Sequence, residues 1–350
     1  MSVQNATEPA GSDGPSGGWG LKRDLPRLGW TIAIAATLCL VVGHAWPHDL
    51  ARTGKIYVAL SWASFVVMTL RYHAGLLLVL VAVGAGVGRR WKLAGFASLV
   101  GLWAVWPTWA LLVPRPPQAT AGSTFRVMSV NLLCVNRQTG ALAREIETAD
   151  AHVLLLQEYT SQWHETLATR LAVRYPHRDA RPRQDSFGAA IYSKLPFAET
   201  PRLVMPIKEL PQVRAVVTWS GRRVAIYNLH LLPPHSFSYL PARRRQIVDL
   251  LRRLGDEPLP VVVAGDFNFT GNSPGAFALE GLGLADAHRV AGWGHGHTWP
   301  VHGIFRYLPL PGFRIDHIYL GAGLTAVSCR TGRGVGSDHR PLICEVGLSP

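Results

Sequence analysis

Val261-Val262-Val263-Ala264-Gly265-Asp266-Phe267-Asn268-Phe269-Thr270 opens with four apolar, mostly β-branched residues. That run predicts a short strand buried on both faces. Gly265 stops it, and an acid and an amide follow at the C-terminal end, two residues apart. Residues i and i+2 leaving a strand point to one side, so Asp266 and Asn268 are expected to address one bound group together. A single peptide of this kind is ordinarily a strand running into an Asp/Asn turn. Its neighbours in the chain decide otherwise.

Working outward, the same design recurs. Asn131 ends the apolar run Phe125–Val130, and Glu158 ends Leu154-Leu155-Leu156-Gln157. His230 ends Tyr227-Asn228-Leu229, and near the C-terminus stand Ile315-Asp316-His317 and Ser337-Asp338-His339-Arg340-Pro341. Each has a routine structural explanation as a turn cap or a satisfied core histidine. Together, all at strand ends, they predict one catalytic site. Glu158, Asn131 and Asp338 offer hard oxygen ligands without cysteine, which suits Mg²⁺ or Mn²⁺. His339, oriented by Asp316, suits proton transfer. Asp266 is placed to orient or deprotonate an attacking water, and the base is left open between Asp266 and His339. Asn268 and His230 are expected to hydrogen-bond phosphoryl oxygens as charge builds on them.

This ordered set resembles the endonuclease/exonuclease/phosphatase superfamily, from about Phe125 to Val346. The resemblance implies a four-layer αββα sandwich with a Mg²⁺-dependent phosphohydrolase site between its sheets. Two departures stand out. Leu133 occupies the position where DNA-repair members carry an acid, and Ser186-Phe187-Gly188 lies where they carry a tyrosine. Both argue against an abasic endonuclease.

The chain before this domain is of another kind. Residues 1–28 read as a tail, Gly/Ser/Pro-rich at first and then basic at Lys22, Arg23 and Arg27. Residues 29–114 are apolar, broken at Arg71-Tyr72-His73 and at Arg89-Arg90-Trp91-Lys92. They concentrate the apolar residues of a chain whose overall hydrophobic content is 48% and whose mean hydropathy is +0.14. No small-residue cleavage site follows Trp30–Trp46, which argues against a signal peptide. Three spans put both basic groups on the cytoplasmic side, as the positive-inside rule prefers, whereas four would separate them. Three spans also place everything after Pro114 outside the cytoplasm, leaving Ile56–Leu70 as an interfacial or partly buried helix. Residues 115–124 read as a Pro/Gly/Ser linker.

Net charge is +13 over 350 residues, and 26 Lys/Arg against 18 Asp/Glu from Arg115 onward give +8 for the C-terminal part. Such a surface suits a phosphorylated substrate, a nucleic acid or an anionic membrane. In the domain, helices are expected at Ala141–Ala149, Ser161–Leu171 and Pro241–Leu254, with Arg243-Arg244-Arg245 most simply a solvated face, or else a group near phosphate. Further strands are expected at Val153–Leu156, Ala189–Ser193, Leu203–Met205, Val213–Trp219, Arg223–Leu229, Arg314–Leu320, Leu324–Cys329 and Leu342–Val346. The last two bring Cys329 and Cys344 near each other, expected as unpaired core thiols ahead of a cross-strand disulfide.

Spans ahead of an extracytoplasmic domain of this type resemble the VanJ-type, teicoplanin-resistance-associated branch of the family. That resemblance implies a phosphorylated lipid such as undecaprenyl diphosphate as substrate. A tethered domain stays near the bilayer, where Trp293, Trp299, Phe305 and Tyr307 can meet the interface. Nucleic acid is the second substrate class, and a phosphate-binding pseudoenzyme is the third reading.

Overall fold

A computed structural model describes residues 21–50, 52–113, 115, 122–205, 207–301 and 312–349. The first helix, α1 (Leu21–Ala45), begins inside the stretch expected as tail. It is followed by α2 (Lys55–Thr69), α3 (Arg71–Val87) and α4 (Trp91–Trp109), the last prolonged by a 3₁₀ turn to Leu112. Two helical stretches, Asp24–Ala45 and Trp91–Leu112, are long and apolar enough to cross a membrane. The pair α2–α3, bent by 55°, makes a third if the two are counted as one span. At 1.5 Å per residue, the 17 residues of α3 alone reach about 25 Å, against roughly 30 Å of hydrocarbon.

Twelve strands follow among the described residues, in two six-stranded sheets. The first sheet holds β1 (Phe125–Asn131), β2 (Val153–Gln157), β3 (His177–Arg181), β4 (Ala189–Ser193), β11 (Leu324–Thr331) and β12 (Leu342–Leu348), in the order β11-β12-β1-β2-β4-β3. The second holds β5 (Phe197–Val204), β6 (Gln212–Trp219), β7 (Arg222–His230), β8 (Val261–Asp266), β9 (Ala285–Asp286) and β10 (Asp316–Leu320), in the order β5-β6-β7-β8-β10-β9. Each sheet has one parallel pair at its centre, β1 with β2 and β7 with β8, and is otherwise antiparallel. The inner faces meet in an apolar layer that includes Val127, Leu155, Ile226, Val262 and Ile318. On the outer face of the first sheet, α5 (Thr139–Ala149) and α6 (Ser161–Ala172) bury Leu142, Ile146, Trp163 and Leu167. On the second, α7 (Leu240–Gly255) and α8 (Pro274–Gly281) bury Ile247, Leu250 and Leu279. A short α9 (Ala287–Ala291) is capped by Asp286. These are the four layers expected.

Differences from the sequence pattern have local causes. β3, His-Arg-Asp-Ala-Arg, lacks apolar alternation because it is an edge strand and half exposed. β5 begins at Phe197 rather than Leu203, carries irregular register against β6, and is likewise an edge. α8 was hidden in a Gly-rich stretch, although Pro274 at its first turn is a helix-start signal. Cys329 and Cys344 face each other across β11 and β12 as free, buried thiols.

The helices are docked on the domain. Trp62 Nε1 donates to Pro234 O (2.8 Å), and Arg244 donates to Asp49 O (2.6 Å) and Arg52 O (2.8 Å). At the end of α4, Gly294 N donates to Leu111 O (2.8 Å) and mostly exposed Trp293 donates through Nε1 to Leu112 O (3.1 Å). Most of the expected linker, and Phe305 and Tyr307, lie outside the described residues.

Gly265 is the sharpest backbone constraint. Its φ is +143°, and a Cβ built there would sit 1.9 Å from Leu229 O on the neighbouring strand. Gly265→Ala is therefore expected to cost about 2 kcal/mol or more, read as a lowered thermal midpoint. An unchanged midpoint would show that β7 and β8 are not so closely apposed.

Candidate active site

The central parallel pairs aim their C-terminal ends at one place. Asn131 ends β1, Glu158 follows β2, and His230 and Asp266 end β7 and β8 as register partners. Asp316 opens β10 opposite Asp266 in the antiparallel register. The loop into β12 then delivers Asp338 and His339. Six segments far apart in sequence thus supply one cluster.

Asp266 lies at its centre, 2% exposed. Its Oδ2 accepts from Asn131 Nδ2 (3.1 Å), and its Oδ1 accepts from Asn268 N (2.9 Å). His230 Nε2 and His339 Nε2 lie 3.5 and 3.8 Å from Oδ2. His339 Nδ1 is 2.8 Å from Asp316 Oδ2, the orienting contact expected from sequence. Ser337 stitches the segment in place: its Oγ donates to Asn131 O (2.7 Å) and accepts from His339 N (3.0 Å).

Electrostatics separate the two candidate bases. Burial pushes the Asp266 carboxyl up, the neighbouring His339 pulls it back, and the balance stands at about 6. For His339, burial opposes the charged form, but Asp316 and then Asp266 outweigh it and push the imidazole up to about 10. His230 is moved the other way, downward, chiefly by burial. At neutral pH, then, a charged donor (His339) and an ionised acceptor (Asp266) stand side by side.

Oxygen ligands line the same cavity, about 600 Å³ in volume, where Glu158 and Asp338 join His230, Asp266, Asn268 and His339. Glu158 has a left-handed φ of +52°. Its carboxylate accepts from Asn131 Nδ2 (3.1 Å) and Cys134 N (2.8 Å). Asp338 accepts from Trp299 Nε1 (3.0 Å), so Trp299 serves the site rather than a surface. Asn131 turns its NH₂ to the carboxylates of Glu158 and Asp266, and its oxygen accepts from Leu133 N (3.0 Å). One lone pair of that oxygen remains for a ligand role. Two carboxylates and an amide oxygen, without thiolate, fit a hard divalent cation. Asp266, Asp316 and His339 also bring ligand atoms within 4.8 Å of one another. There the 2.8 Å contact between His339 and Asp316 already engages one ligand atom of each.

Asn268 also lines the cavity, but it leaves the strand with φ +53° and donates Nδ2 to Leu231 O (2.9 Å). Only its second amide proton is left for a substrate oxygen.

Sequence reasoning missed three contributors. Arg243, expected on a solvated face, is 5% exposed and donates to Leu232 O, to Phe267 O (3.1 Å) and to Asn268 O (3.0 Å), clamping the loops behind Asp266. Its spacing with Ile247, Leu250 and Leu254 puts it on the buried stripe of α7, the signal that would have found it. Arg245 is the exposed member of the run. Phe187, in the segment where a tyrosine was missing, packs 5.2 Å from the His230 ring. The third contributor is the α2–α3 bend, where Trp62, Phe65, Val66 and Leu70 line the same cavity as the carboxylates.

A four-layer αββα sandwich with this acid, amide and histidine cluster between its sheets defines a class. Residues 128–339 match the family model described as Endonuclease/Exonuclease/phosphatase family, and the chain belongs to that family. Solved structures repeat the fold at low identity. An endonuclease/exonuclease/phosphatase from Beutenbergia cavernae is 20% identical, with a TM-score of 0.51 over 65% of this chain and 72% of that one. D. rerio TDP2 complexed with single strand DNA product is 20% identical, with a TM-score of 0.53 over 65% of this chain and 100% of that one. The 3'-5' exonuclease NExo from Neisseria meningitidis is 19% identical, with a TM-score of 0.51 over 63% of this chain and 99% of that one. No curated protein matches the chain.

Proposed function

We propose that the chain is a membrane-anchored, Mg²⁺- or Mn²⁺-dependent phosphohydrolase. Its catalytic domain works outside the cytoplasm on a phosphorylated lipid, with undecaprenyl diphosphate the leading candidate. The observation that carries this reading is the mixed lining of the cavity, where carboxylates and imidazoles share one space with the apolar residues Trp62, Phe65, Val66 and Leu70 of the α2–α3 bend. A substrate with a phosphate beside a hydrocarbon chain matches both. On this reading α1, α3 and α4 cross the bilayer and α2 lies at its surface. The turn Arg89–Lys92 and the start of α1 then share the cytoplasmic end, an arrangement supported by the crevice in which Leu25 and Gly29 meet Gly88 and Arg90. The resemblance to VanJ-type proteins extends the proposal to a role in glycopeptide resistance.

Chemically, Asp266 accepts the proton of the attacking water as its oxygen bonds to phosphorus and the P–O bond to the leaving group breaks; His339, already charged, donates to the phosphoryl group. Asp316 holds His339 in that orientation. Asn268 and His230 steady the phosphoryl oxygens. A divalent cation held by Glu158, Asp338 and the Asn131 oxygen would neutralise charge on the phosphate.

The test uses full-length protein in detergent with Mg²⁺, and EDTA as control. Undecaprenyl diphosphate is followed for released phosphate and supercoiled plasmid for nicking. Release without nicking is expected. Nicking alone would replace this reading by an anchored nuclease, an alternative with which the +8 charge is compatible. Activity in neither tube would leave a phosphate-binding pseudoenzyme. Phe65→Ala, which trims the apolar wall, is expected to lower kcat/KM about tenfold on the long-chain lipid. Hydrolysis of a short water-soluble phosphoester should stay unchanged; equal losses on both substrates would count against a lipid-facing role for α2.

A further inference from the structure

Beside the catalytic cavity lies a second one of about 250 Å³, sharing Thr69 and Phe313 with it. It is enclosed by the α2–α3 bend, the ends of α1 and α4, and the domain loops around Gly271 and His295. Its lining contains no Asp or Glu but does include Arg71, Arg289 and Arg314. Arg314 and Arg289 have carboxylate partners, Asp286 and Glu280. Arg71 has none among the described residues. It is 7% exposed, stacks 4.3 Å over Trp103, and donates to Trp103 O (3.0 Å).

Several donors are left over. Arg71 Nε, Thr69 Oγ1 and His295 Nδ1 are buried without a hydrogen-bond partner. Burial holds the His295 imidazole far down, at about 3, so it is neutral and offers a hydrogen bond rather than charge. A buried guanidinium without a counter-ion is costly, and unmet donors around a cavity larger than the ~30 Å³ share of a water add to that cost. An oxyanion answers both.

We propose that this chamber is a phosphate-type oxyanion site, with Arg71 as its cation and Thr69 and His295 as further ligands. Inorganic phosphate and the headgroup of an anionic membrane lipid share the chemistry. The site's place at the helix–domain junction suits either: product leaving the neighbouring cavity, or a lipid at headgroup level. Phosphate binding itself does not depend on the lipid-phosphatase reading, because it is measured without turnover.

The experiment is calorimetric titration of inorganic phosphate into full-length protein in detergent with EDTA. Wild type is compared with Arg71→Met, Thr69→Val and the catalytic-site variant Asp266→Asn. Arg71→Met removes a charge-assisted contact and is expected to weaken binding at least about tenfold. Thr69→Val, nearly the same shape, should weaken it several-fold, so the result does not rest on the folding of one variant. Asp266→Asn, in the neighbouring cavity, should weaken binding less than Arg71→Met does. Parallel thermal melts with short-chain phosphatidic acid, phosphatidylcholine and phosphate separate the sources. A rise with phosphatidic acid alone assigns a lipid headgroup, and a rise with phosphate as well assigns free phosphate. Binding lost in Asp266→Asn but kept in Arg71→Met and Thr69→Val, or no binding at all, overturns the proposal.

Discussion

Asp266→Asn is expected to lower kcat by about a thousandfold or more with little change in fold. The side chain sits where both imidazoles converge on one carboxylate oxygen, 3.5 Å from His230 and 3.8 Å from His339. Asparagine keeps the volume and can still meet Asn268 N, but it cannot take a proton from water. Loss of a positioned base together with its charge typically amounts to 10²–10⁴-fold. Phosphate release under saturating Mg²⁺, beside an unfolding curve matching wild type, is the measurement. A variant retaining a tenth of the wild-type kcat would remove Asp266 from the chemistry and return the base to His339.

Asp286→Asn should produce the largest loss of stability, about 3–5 kcal/mol. Asp286 is 2% exposed, pairs with Arg314 Nη1 at 2.6 Å, lies 2.8 Å from His317 Nδ1, and caps α9 through His288 N and Arg289 N. Burial works against its charge, yet Arg314 and then His317 hold the carboxyl well below the usual carboxylate range. A folded pKa below the unfolded value means that the stabilisation is complete above the unfolded pKa of about 3.9. It drains away as pH falls below that value toward the folded one. Thermal unfolding between pH 7 and pH 3 should therefore show wild type losing stability at the acid end while Asp286→Asn changes less. The double variant Asp286→Asn/Arg314→Met should be more stable than Asp286→Asn alone, because no buried cation is stranded. If the double variant is worse, packing around Arg314, rather than charge, dominates.

The two central strand pairs were legible because their signal is local. A β-branched run that stops at an acid, amide or histidine announces both the strand and the side chain at its end. The Asp316–His339 contact could be anticipated from residue type alone, and the structure supplies its 2.8 Å. What stayed hidden depends on distant packing. β3 carries no apolar alternation because nothing covers its edge. Arg243 looked like part of a charge run, although its helical spacing already placed it inward. The wall that α2 gives to the cavity could not be read from residues 55–69, since an apolar helix looks the same whether it faces lipid or substrate.

The contacts of Trp62, Arg244, Gly294 and Trp293 between helices and domain bear on how such an enzyme meets its substrate. A domain swinging on a free tether samples the solution around it, and its rate follows bulk concentration. With the domain clamped to its own helices and the cavity lined in part by α2, encounters on the proposed membrane placement occur by lateral diffusion within a sheet. Turnover then follows the mole fraction of substrate in the bilayer. Diluting the vesicles should leave the rate per enzyme unchanged, whereas diluting the substrate with inert lipid should lower it.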